Sequence, residues 1–187
     1  VYPVVNKIML RSMQKAKYST ENEGHFGLSS KCYCHFTSPI RRYPDLVVHR
    51  VVKLIIDGRI GEIIDLYGDF VGEASQKSSE NERKADEAER AVDDLYKAYY
   101  MRGHIGEEYD AVISGVTQYG IYSELDNTVE GFTGVGDLPR GNYVYDEKTY
   151  SLISGKRRFS LGDRVRVGVV GVDEAMKRVE LIILNKY

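Results

Sequence analysis

Two adjacent arginines, Arg41 and Arg42, stand at the start of a strongly apolar stretch of the sequence. Ser38 is a residue type that caps helices, and Pro39 suits the first helical position because an N–H group there has no helical partner. The apolar residues that follow predict a helix that continues to Gly58, a suitable C-terminal residue. Two guanidinium groups beside the free N–H groups of a helix start are suited to holding a phosphate.

The same charges also have a purely structural interpretation. Arg41 and Asp45 are four residues apart, and so are Asp45 and His49. This spacing brings side chains together on a helix, so an internal ladder of ion pairs would account for the polarity equally well.

The composition indicates an ordinary folded protein. Hydrophobic residues make up 42% of the 187 residues and charged residues 29%, which leaves room for one medium domain or two small ones. No apolar stretch approaches the roughly 20 residues of a membrane span, and the N-terminal residues lack a signal-peptide pattern. The only two cysteines, Cys32 and Cys34, make no disulfide framework. We therefore expect a cytoplasmic protein with no membrane contact and no disulfide partner.

The net charge of −2 conceals an uneven distribution. Residues 1–60 contain ten Lys or Arg and four Asp or Glu, a balance of +6, whereas the remainder is acidic. The total charge therefore does not indicate a nucleic-acid-binding protein, but the local excess around the arginine pair favours an anionic partner.

Helical periodicity dominates the first part of the chain. Apolar residues recur at intervals of three and four, which predicts helices over residues 3–17, 61–76 and 80–102 besides the one that follows the arginine pair. Ser79 and Glu82 have the spacing of a capping box at the start of the last of these helices.

Four residues of metal-ligand type occur close together before the arginine pair: His25, Cys32, Cys34 and His35. Their spacing is not that of a zinc site, and the chain has no second pair of cysteines. We therefore predict no metal site among them.

From about residue 105 the pattern changes to short segments that are rich in Val, Ile and Tyr and punctuated by glycine, which is typical of β-strands. Many short strands within so few residues predict a small barrel or sandwich. The predicted fold class is therefore α+β, with a mostly helical domain over residues 1–104 and a small all-β barrel over residues 105–187. The strands are predicted at residues 109–116, 118–125, 129–135, 142–145, 149–153, 164–172 and 178–184.

The segment HFTSPIRRYPDLVVHR, residues 35–50, resembles the signature of the RNB family of exoribonucleases, of the ribonuclease II type. Residues 9–50 and 82–125 resemble the same family, so the resemblance covers nearly the whole chain. It implies that residues 1–104 are the helical C-terminal portion of an RNB catalytic domain. Enzymes of this family degrade RNA processively from the 3′ end and release nucleoside 5′-monophosphates.

The second block resembles the S-one type of OB-fold RNA-binding domain, through ISGVTQYGIYSEL, VEGFTGVGDL and residues 161–184. In that family, aromatic side chains on the second and third strands stack on bases, and the matching residues here are Tyr119, Tyr122 and Phe132. In the alternative interpretation, the Tyr122 or Phe132 side chain fills the interior of the barrel. The family often has a histidine near the end of the third strand, and Gly134 at this position removes one expected polar contact.

Further basic residues in the second block are candidates for contact with the RNA backbone. Arg164 and Arg166 alternate onto one face of a predicted strand. Residues 156–158 form a short basic run, for which a solvated loop is nearly as good an interpretation as RNA contact.

The resemblance also implies roles at the signature. Arg41 would grip and polarise the scissile or an adjacent phosphate, Arg42 is the second catalytic candidate, and Tyr43 would position the end nucleotide or only pack. In the family, a cluster of aspartates upstream of the signature holds a magnesium pair. No comparable aspartate-rich loop occurs here, so we expect the magnesium ligands to lie outside this chain.

The sequence therefore predicts part of a larger magnesium-dependent exoribonuclease that acts on single-stranded RNA, with the ribosome or other RNA-decay proteins as candidate partners. These 187 residues alone are expected to bind RNA weakly without cutting it. Two other functions fit the same sequence, namely a non-catalytic RNA-binding adaptor and a protein-interaction module without RNA affinity.

Overall fold

The chain changes from helix to strand between Met101 and Glu108 in a computed structural model that describes residues 6, 9, 10, 12–139 and 141–187. The predicted α+β class is confirmed. The predicted helix over residues 3–17 lies partly outside the described residues. The long helices are α1 (Tyr43–Ile56) and α2 (Glu62–Met101), and single 3₁₀ turns occur at Phe26–Leu28, Arg102–His104 and Val135–Asp137. The strands are β1 (Glu108–Thr117), β2 (Gly120–Leu125), β3 (Glu130–Gly134), β4 (Val144–Asp146), β5 (Ser151–Ser154), β6 (Arg157–Ser160), β7 (Arg164–Asp173) and β8 (Arg178–Lys186).

Helix α1 begins later than the sequence predicts. The predicted start at Ser38 is wrong, because the Ser38 carbonyl accepts hydrogen bonds from the N–H groups of Arg41 and Arg42, at 3.3 and 3.0 Å, and closes a turn instead. Arg42 is the N-cap residue, and Pro44 supplies the proline of the first helical turn. The arginine pair therefore immediately precedes the helix.

The C-terminal end of α1 is as predicted. Gly58 adopts a φ of 72°, and its N–H donates to the Ile55 carbonyl at 3.1 Å. The N–H of Arg59 donates to the Leu54 carbonyl at 2.8 Å. This pair of bonds is a Schellman motif, for which glycine is favoured because it adopts positive φ at no steric cost.

Helix α2 is continuous over 40 residues, whereas the sequence analysis predicted two separate helices. The predicted capping box at Ser79 is wrong because Ser79 lies inside the helix. Its hydroxyl donates to the Ser75 carbonyl at 2.9 Å and accepts the N–H of Tyr18 at 2.9 Å. No glycine or proline stands between Glu73 and Glu80 to interrupt the helix, so the polar residues there do not end it.

Five strands form a closed barrel in the order β1-β2-β3-β8-β7. The first half of β1 pairs with β7 and the second half with β2, while β3 and β8 pair in parallel. Ser114 is an extra residue in β1, between the register pairs of Ile113 and Gly115. Such a bulge increases the local twist, which helps one strand to serve two walls of the barrel. The apolar core contains side chains from four of these strands, and β3 contributes the fully buried Thr133; the core includes Ile113, Ile121, Val165, Val167, Val179 and Leu181.

A separate three-stranded sheet, in the order β4-β5-β6, is inserted between β3 and β7. The hairpin of β4 and β5 was predicted, whereas no strand was predicted at β6, which includes Arg157 and Arg158 of the basic run. Arg157 and Arg158 are both exposed, so β6 lacks the alternation that marks a half-buried strand. Phe159 in this strand is buried and pairs with the fully buried Leu152.

The chain separates into two compact units, one of residues Gln14–Ala88 and another that includes Glu89–Tyr187. The division falls inside α2. The domain boundary between residues 104 and 105 stays a prediction. No helix among the described residues has the length and apolarity needed to cross a membrane.

Gly131 is a point at which the barrel tolerates no side chain. A Cβ atom there would lie 2.5 Å from two atoms of the buried Leu181 side chain, on the neighbouring strand. Overpacking of this kind costs about 1–3 kcal/mol, so we expect Gly131→Ala to lower the free energy of unfolding by that amount. Urea denaturation measures the change. Gly136→Ala is the control, because a Cβ at Gly136 meets nothing within 4 Å, and equal stability of the two variants would contradict the prediction.

Candidate nucleic-acid interface

A fully buried carboxylate, Asp45, organises the segment that carries the arginine pair. Its Oδ2 atom accepts the N–H of Ser38 at 2.7 Å and the Nη2–H of Arg42 at 2.9 Å. Burial alone would raise the pKa of Asp45, but these two hydrogen bonds more than offset burial and hold the pKa below its ordinary value. The carboxylate therefore stays charged and fixes the turn before α1.

The two arginines differ in what they contact. Arg42 is mostly buried and forms the ion pair with Asp45. Arg41 is exposed, and no ion-pair partner for its guanidinium occurs among the described residues. The predicted ladder through Arg41 and Asp45 is wrong, because Asp45 binds Arg42, three residues before it. Arg41 is thus the member of the pair that can bind an external anion.

Two buried polar atoms in this cluster have no hydrogen-bond partner within the described part of the chain: Oδ1 of Asp45 and Nε of Arg42. A buried polar group without a partner is costly, so a water molecule or a further polar group is expected beside them. Tyr43, the next residue, is 44% exposed, and its ring meets the ring of Phe70 edge-on at 6.2 Å. Tyr43 therefore both packs and presents part of its ring to solvent.

The histidines near this segment already have hydrogen-bond partners. Nδ1 of His35 lies 2.9 Å from the hydroxyl of Tyr18, and Nδ1 of His25 accepts the N–H of Leu28 at 3.2 Å. Burial and the nearby Glu82 carboxylate raise the pKa of Tyr18 to about 12, so this hydroxyl stays protonated at neutral pH. The described residues contain no group of three or more His, Cys, Asp or Glu that could hold a metal ion.

The second candidate surface lies on the outside of the barrel, where Tyr122 of β2 pairs directly with Phe132 of β3. Both rings are partly exposed, and their centroids are 5.0 Å apart. Their neighbours in sequence, such as Ile121 and Thr133, point into the barrel and are fully buried. The alternative interpretation, in which Tyr122 or Phe132 fills the barrel, is therefore wrong.

Glycines shape this aromatic surface from below. A Cβ atom at Gly120 would lie 2.2 Å from the Thr133 carbonyl and 2.7 Å from the Phe132 ring. On the other side, Gly115 lies beneath Tyr122, with the ring 3.4 Å from where a Cβ would be. A side chain at Gly120 would therefore displace the Phe132 ring, whereas a Cβ at Gly115 would make only an ordinary van der Waals contact with Tyr122.

Tyr119 occupies the turn between β1 and β2 and is 71% exposed. Its N–H donates to the hydroxyl oxygen of Thr117 at 3.3 Å, and its carbonyl accepts the N–H of Val135 at 2.9 Å. The backbone is thus held at both ends while the ring stays in solvent, as a stacking platform requires.

Arg178, which the sequence analysis did not single out, stands beside the same rings. Its guanidinium carbon lies 5.2 Å from the centroid of Phe132, a cation–π arrangement, and Nη2 lies 3.7 Å from the carboxylate of Glu180. Arg178 reaches Phe132 because β3 pairs in parallel with β8, which brings the start of β8 beside Phe132. Spacing along the chain does not reveal that pairing.

The two arginines predicted on β7 are in different situations. Arg166 forms ion pairs with Asp110 at 3.0 Å and with Glu108 at 3.4 Å. Hydrogen bonds from Tyr187 and Arg166 lower the pKa of Asp110, so this carboxylate stays charged and remains bound to Arg166. Arg164 is exposed and has no ion pair within the described part of the chain. Of the two, Arg164 is better placed to meet a phosphate.

A closed five-stranded barrel with a parallel β3–β8 pair and exposed aromatic rings on its second and third strands defines an OB-fold of the nucleic-acid-binding class. The family models agree with this assignment: residues 1–58 match the RNB domain, and residues 104–183 match the S1 RNA binding domain, the S-one type. The chain thus combines an RNB-domain segment with an S1 RNA binding domain, and over nearly its whole length it is similar to ribonuclease R proteins.

The similarity to individual relatives extends along nearly the whole chain. Ribonuclease R 1 of Lactococcus lactis is 42% identical over 95% of this chain, and ribonuclease R of Aquifex aeolicus is 44% identical over 98%. The chain spans only 22% and 26% of the length of these two relatives. A solved structure of Mycoplasma genitalium RNase R in complex with ribose methylated single-stranded RNA superimposes with a TM-score of 0.91 and 27% identity, over 98% of this chain and 29% of that one.

Asp45→Asn tests the role of the buried carboxylate. Hydrogen bonds to a charged group contribute about 1.5–3 kcal/mol, so we expect the substitution to lower the free energy of unfolding by about 2 kcal/mol at pH 7. Folding lowers the pKa of Asp45, so its contribution is present above the pKa of the unfolded carboxyl and is lost as the pH falls through the folded pKa. The difference between variant and parent should therefore shrink in acid.

Urea titrations at pH 7 and at about pH 3 measure this difference. Asp69→Asn is the matched control, because it neutralises an exposed carboxylate on α2 of the same unit. If Asp45→Asn and Asp69→Asn are equally stable at pH 7, Asp45 does not organise the turn.

Proposed function

We propose that this chain is part of a cytoplasmic 3′-to-5′ exoribonuclease of the ribonuclease R type, which degrades RNA processively to nucleoside 5′-monophosphates in RNA decay and quality control. The observation that carries the proposal is the outward-facing pair of Tyr122 and Phe132, flanked by Arg178, on a closed OB-fold barrel. The family match along nearly the whole chain supports it. In this enzyme, the barrel would guide single-stranded RNA, and the segment before α1 would contact its phosphates.

The barrel surface suits single-stranded RNA because stacking needs no particular base. Every base has a π-face, and stacking on an aromatic side chain contributes about 1–3 kcal/mol per base. Tyr119, Tyr122 and Phe132 offer three rings, and Arg178 supplies a positive charge next to them. This arrangement favours unpaired strands, whose bases are free to stack.

The roles that we propose for Arg41 and Arg42 follow from the contacts of Asp45. Arg41 would bind the scissile or an adjacent phosphate and stabilise charge that develops on its oxygens. Arg42 would hold the turn in place through its ion pair with Asp45, and any contact of Arg42 with phosphate would be secondary. Tyr43 would pack against the terminal nucleotide with the exposed part of its ring.

The family suggests that the complete enzyme depends on a divalent metal, for which magnesium is our proposal. The described residues do not fit such a site, because they contain no cluster of acidic, histidine or cysteine side chains that could hold an ion. The metal ligands would therefore belong to parts of the enzyme beyond those described. It follows that the 187-residue chain should bind RNA without hydrolysing it.

Arg41→Ala in the complete enzyme tests the phosphate contact. Removal of one preorganised donor to a developing oxyanion typically lowers kcat about 10²–10³-fold, and we expect a loss in this range with an unchanged melting temperature. Arg42→Ala should lower the melting temperature, because it leaves Asp45 without its partner. Single-turnover degradation of a labelled oligonucleotide and thermal denaturation provide the two readouts.

Arg50→Ala is the control, since it removes an exposed arginine from α1 of the same unit. The proposed role of Arg41 is wrong if Arg41→Ala destabilises the enzyme without slowing the chemical step, or if Arg50→Ala slows it equally.

Tyr119→Ala and Tyr122→Leu test the aromatic surface in the 187-residue chain itself. Loss of one stacked base should weaken binding of oligouridylate about 5- to 150-fold, as the stacking energy implies. Fluorescence anisotropy with a labelled oligonucleotide measures the affinity. Tyr96→Ala is the control, because Tyr96 is 69% exposed on α2 and is not part of the surface. Unchanged affinity in both barrel variants would refute the assignment of the surface.

A further inference from the structure

A groove of about 450 Å³ opens between the inserted sheet and the last strand of the barrel, away from the aromatic rings. Strand β6 lines one side, and residues 183–186 of β8 line the other. None of the described lining residues is an acid. Four of them are cations, namely Lys156, Arg157, Arg158 and Lys186. The groove is therefore strongly basic in a chain whose net charge is −2.

Nearby carboxylates only partly compensate this charge: Asp163 binds Lys186, and Arg158 interacts electrostatically with Asp146. Oδ2 of Asp163 accepts Nζ–H of Lys186 at 2.5 Å and the N–H of Ser160 at 2.6 Å. Nζ of Lys186 also donates to the backbone carbonyl of Arg158 at 2.6 Å. Lys186 of β8 is thus held by two contacts to β6 and the turn that follows it, and these contacts keep the end of β8 beside β6.

The other cations face solvent. Lys156 and Arg158 are exposed. The Nε–H of Arg158 donates to the hydroxyl of Ser160 at 2.9 Å. Its two Nη groups have no ion-pair partner among the described residues. A guanidinium held at one end with its fork free is suited to binding a phosphate.

The groove offers no surface for base stacking. Its aromatic residue, Phe159, is only 5% exposed and packs in the core. A ligand would therefore be held by its charge, as the sugar-phosphate backbone of a nucleic acid is.

We propose that this groove binds the phosphate backbone of single-stranded RNA, as a second contact region that extends the aromatic surface of the same barrel; the proposal rests on the RNA-binding function proposed above. Strand β8 connects the two regions, because Arg178 is its first residue and Lys186 its last. At about 3.3 Å per residue, the two ends of the strand are separated by roughly 26 Å. Short oligonucleotides would reach only the aromatic surface, whereas longer ones would also occupy the groove.

The variant Lys156→Gln with Arg158→Gln, in the 187-residue chain, tests this groove. Glutamine keeps most of each aliphatic stem and removes the charge. Affinity is measured for oligouridylates of about 4 and about 16 nucleotides, each over a series of salt concentrations. Each phosphate contact to a single strand contributes about −0.7 to the slope of log K against log salt, so loss of two contacts should make the slope for the longer oligonucleotide shallower by about 1.4. The corresponding loss of affinity is roughly 25-fold at 0.1 M salt.

Lys148→Gln is the matched control, because Lys148 is an exposed lysine on the turn between β4 and β5 and does not line the groove. Support requires that the double variant weakens binding of the longer oligonucleotide only, and that Lys148→Gln changes neither affinity. The groove proposal is overturned if the double variant binds both oligonucleotides like the parent, or if Lys148→Gln causes an equal loss per charge. It is also overturned if polyglutamate binds the parent more tightly than RNA does, since the groove would then suit an acidic protein.

Failure of the underlying function gives a different result. If the parent chain binds neither oligonucleotide at any salt concentration, RNA binding by the barrel is wrong, and the groove proposal is overturned with it. If the short oligonucleotide binds the parent and depends on Tyr119 and Tyr122 but the longer one gains nothing from the groove, only the second contact region is rejected.

Discussion

The ion pair between Asp45 and Arg42 determines what the signature segment can do. A fully buried carboxylate needs partners, and here it takes the N–H of Ser38 and the guanidinium of Arg42. Because one arginine satisfies the carboxylate, its neighbour Arg41 is left to solvent. Two adjacent residues of the same type thus acquire different roles through one interaction. The late start of α1 is part of the same arrangement, since the turn closed by the Ser38 carbonyl places both arginines before the helix.

In the barrel, the corresponding constraint is the separation of inner and outer faces. Ile121 and Thr133 fill the interior, while Tyr122 and Phe132 next to them face outward. Period-two alternation produces this separation, and the pairing of β2 with β3 brings the two outer rings into contact. The absence of a side chain at Gly120 then leaves room for the Phe132 ring to approach the strand closely. The surface that stacks bases in our proposal is therefore a consequence of strand register and one glycine.

Local patterns in the sequence were sufficient for the fold class, the helix end at Gly58 and most strands, because these depend on periodicity and on residues with special backbone geometry. The start of α1 was missed because Ser38 and Pro39 form a plausible capping signal whose serine is instead engaged by Asp45. Strand β6 was missed because its two arginines are both exposed. Arg178 and the different roles of Arg41 and Arg42 depend on contacts that follow only from the folded arrangement, so no spacing rule could have found them.

Closure of the barrel has a consequence for association between chains. β1 pairs with neighbours on both sides, so the ring of five strands exposes no free edge on which a foreign strand could add. The inserted sheet is different, because its order β4-β5-β6 makes β6 an edge strand. Exposed arginines on that edge disfavour the approach of an identical edge from another chain, as like charges would meet. The basic residues of this strand thus disfavour sheet-to-sheet aggregation between chains, whatever else they bind.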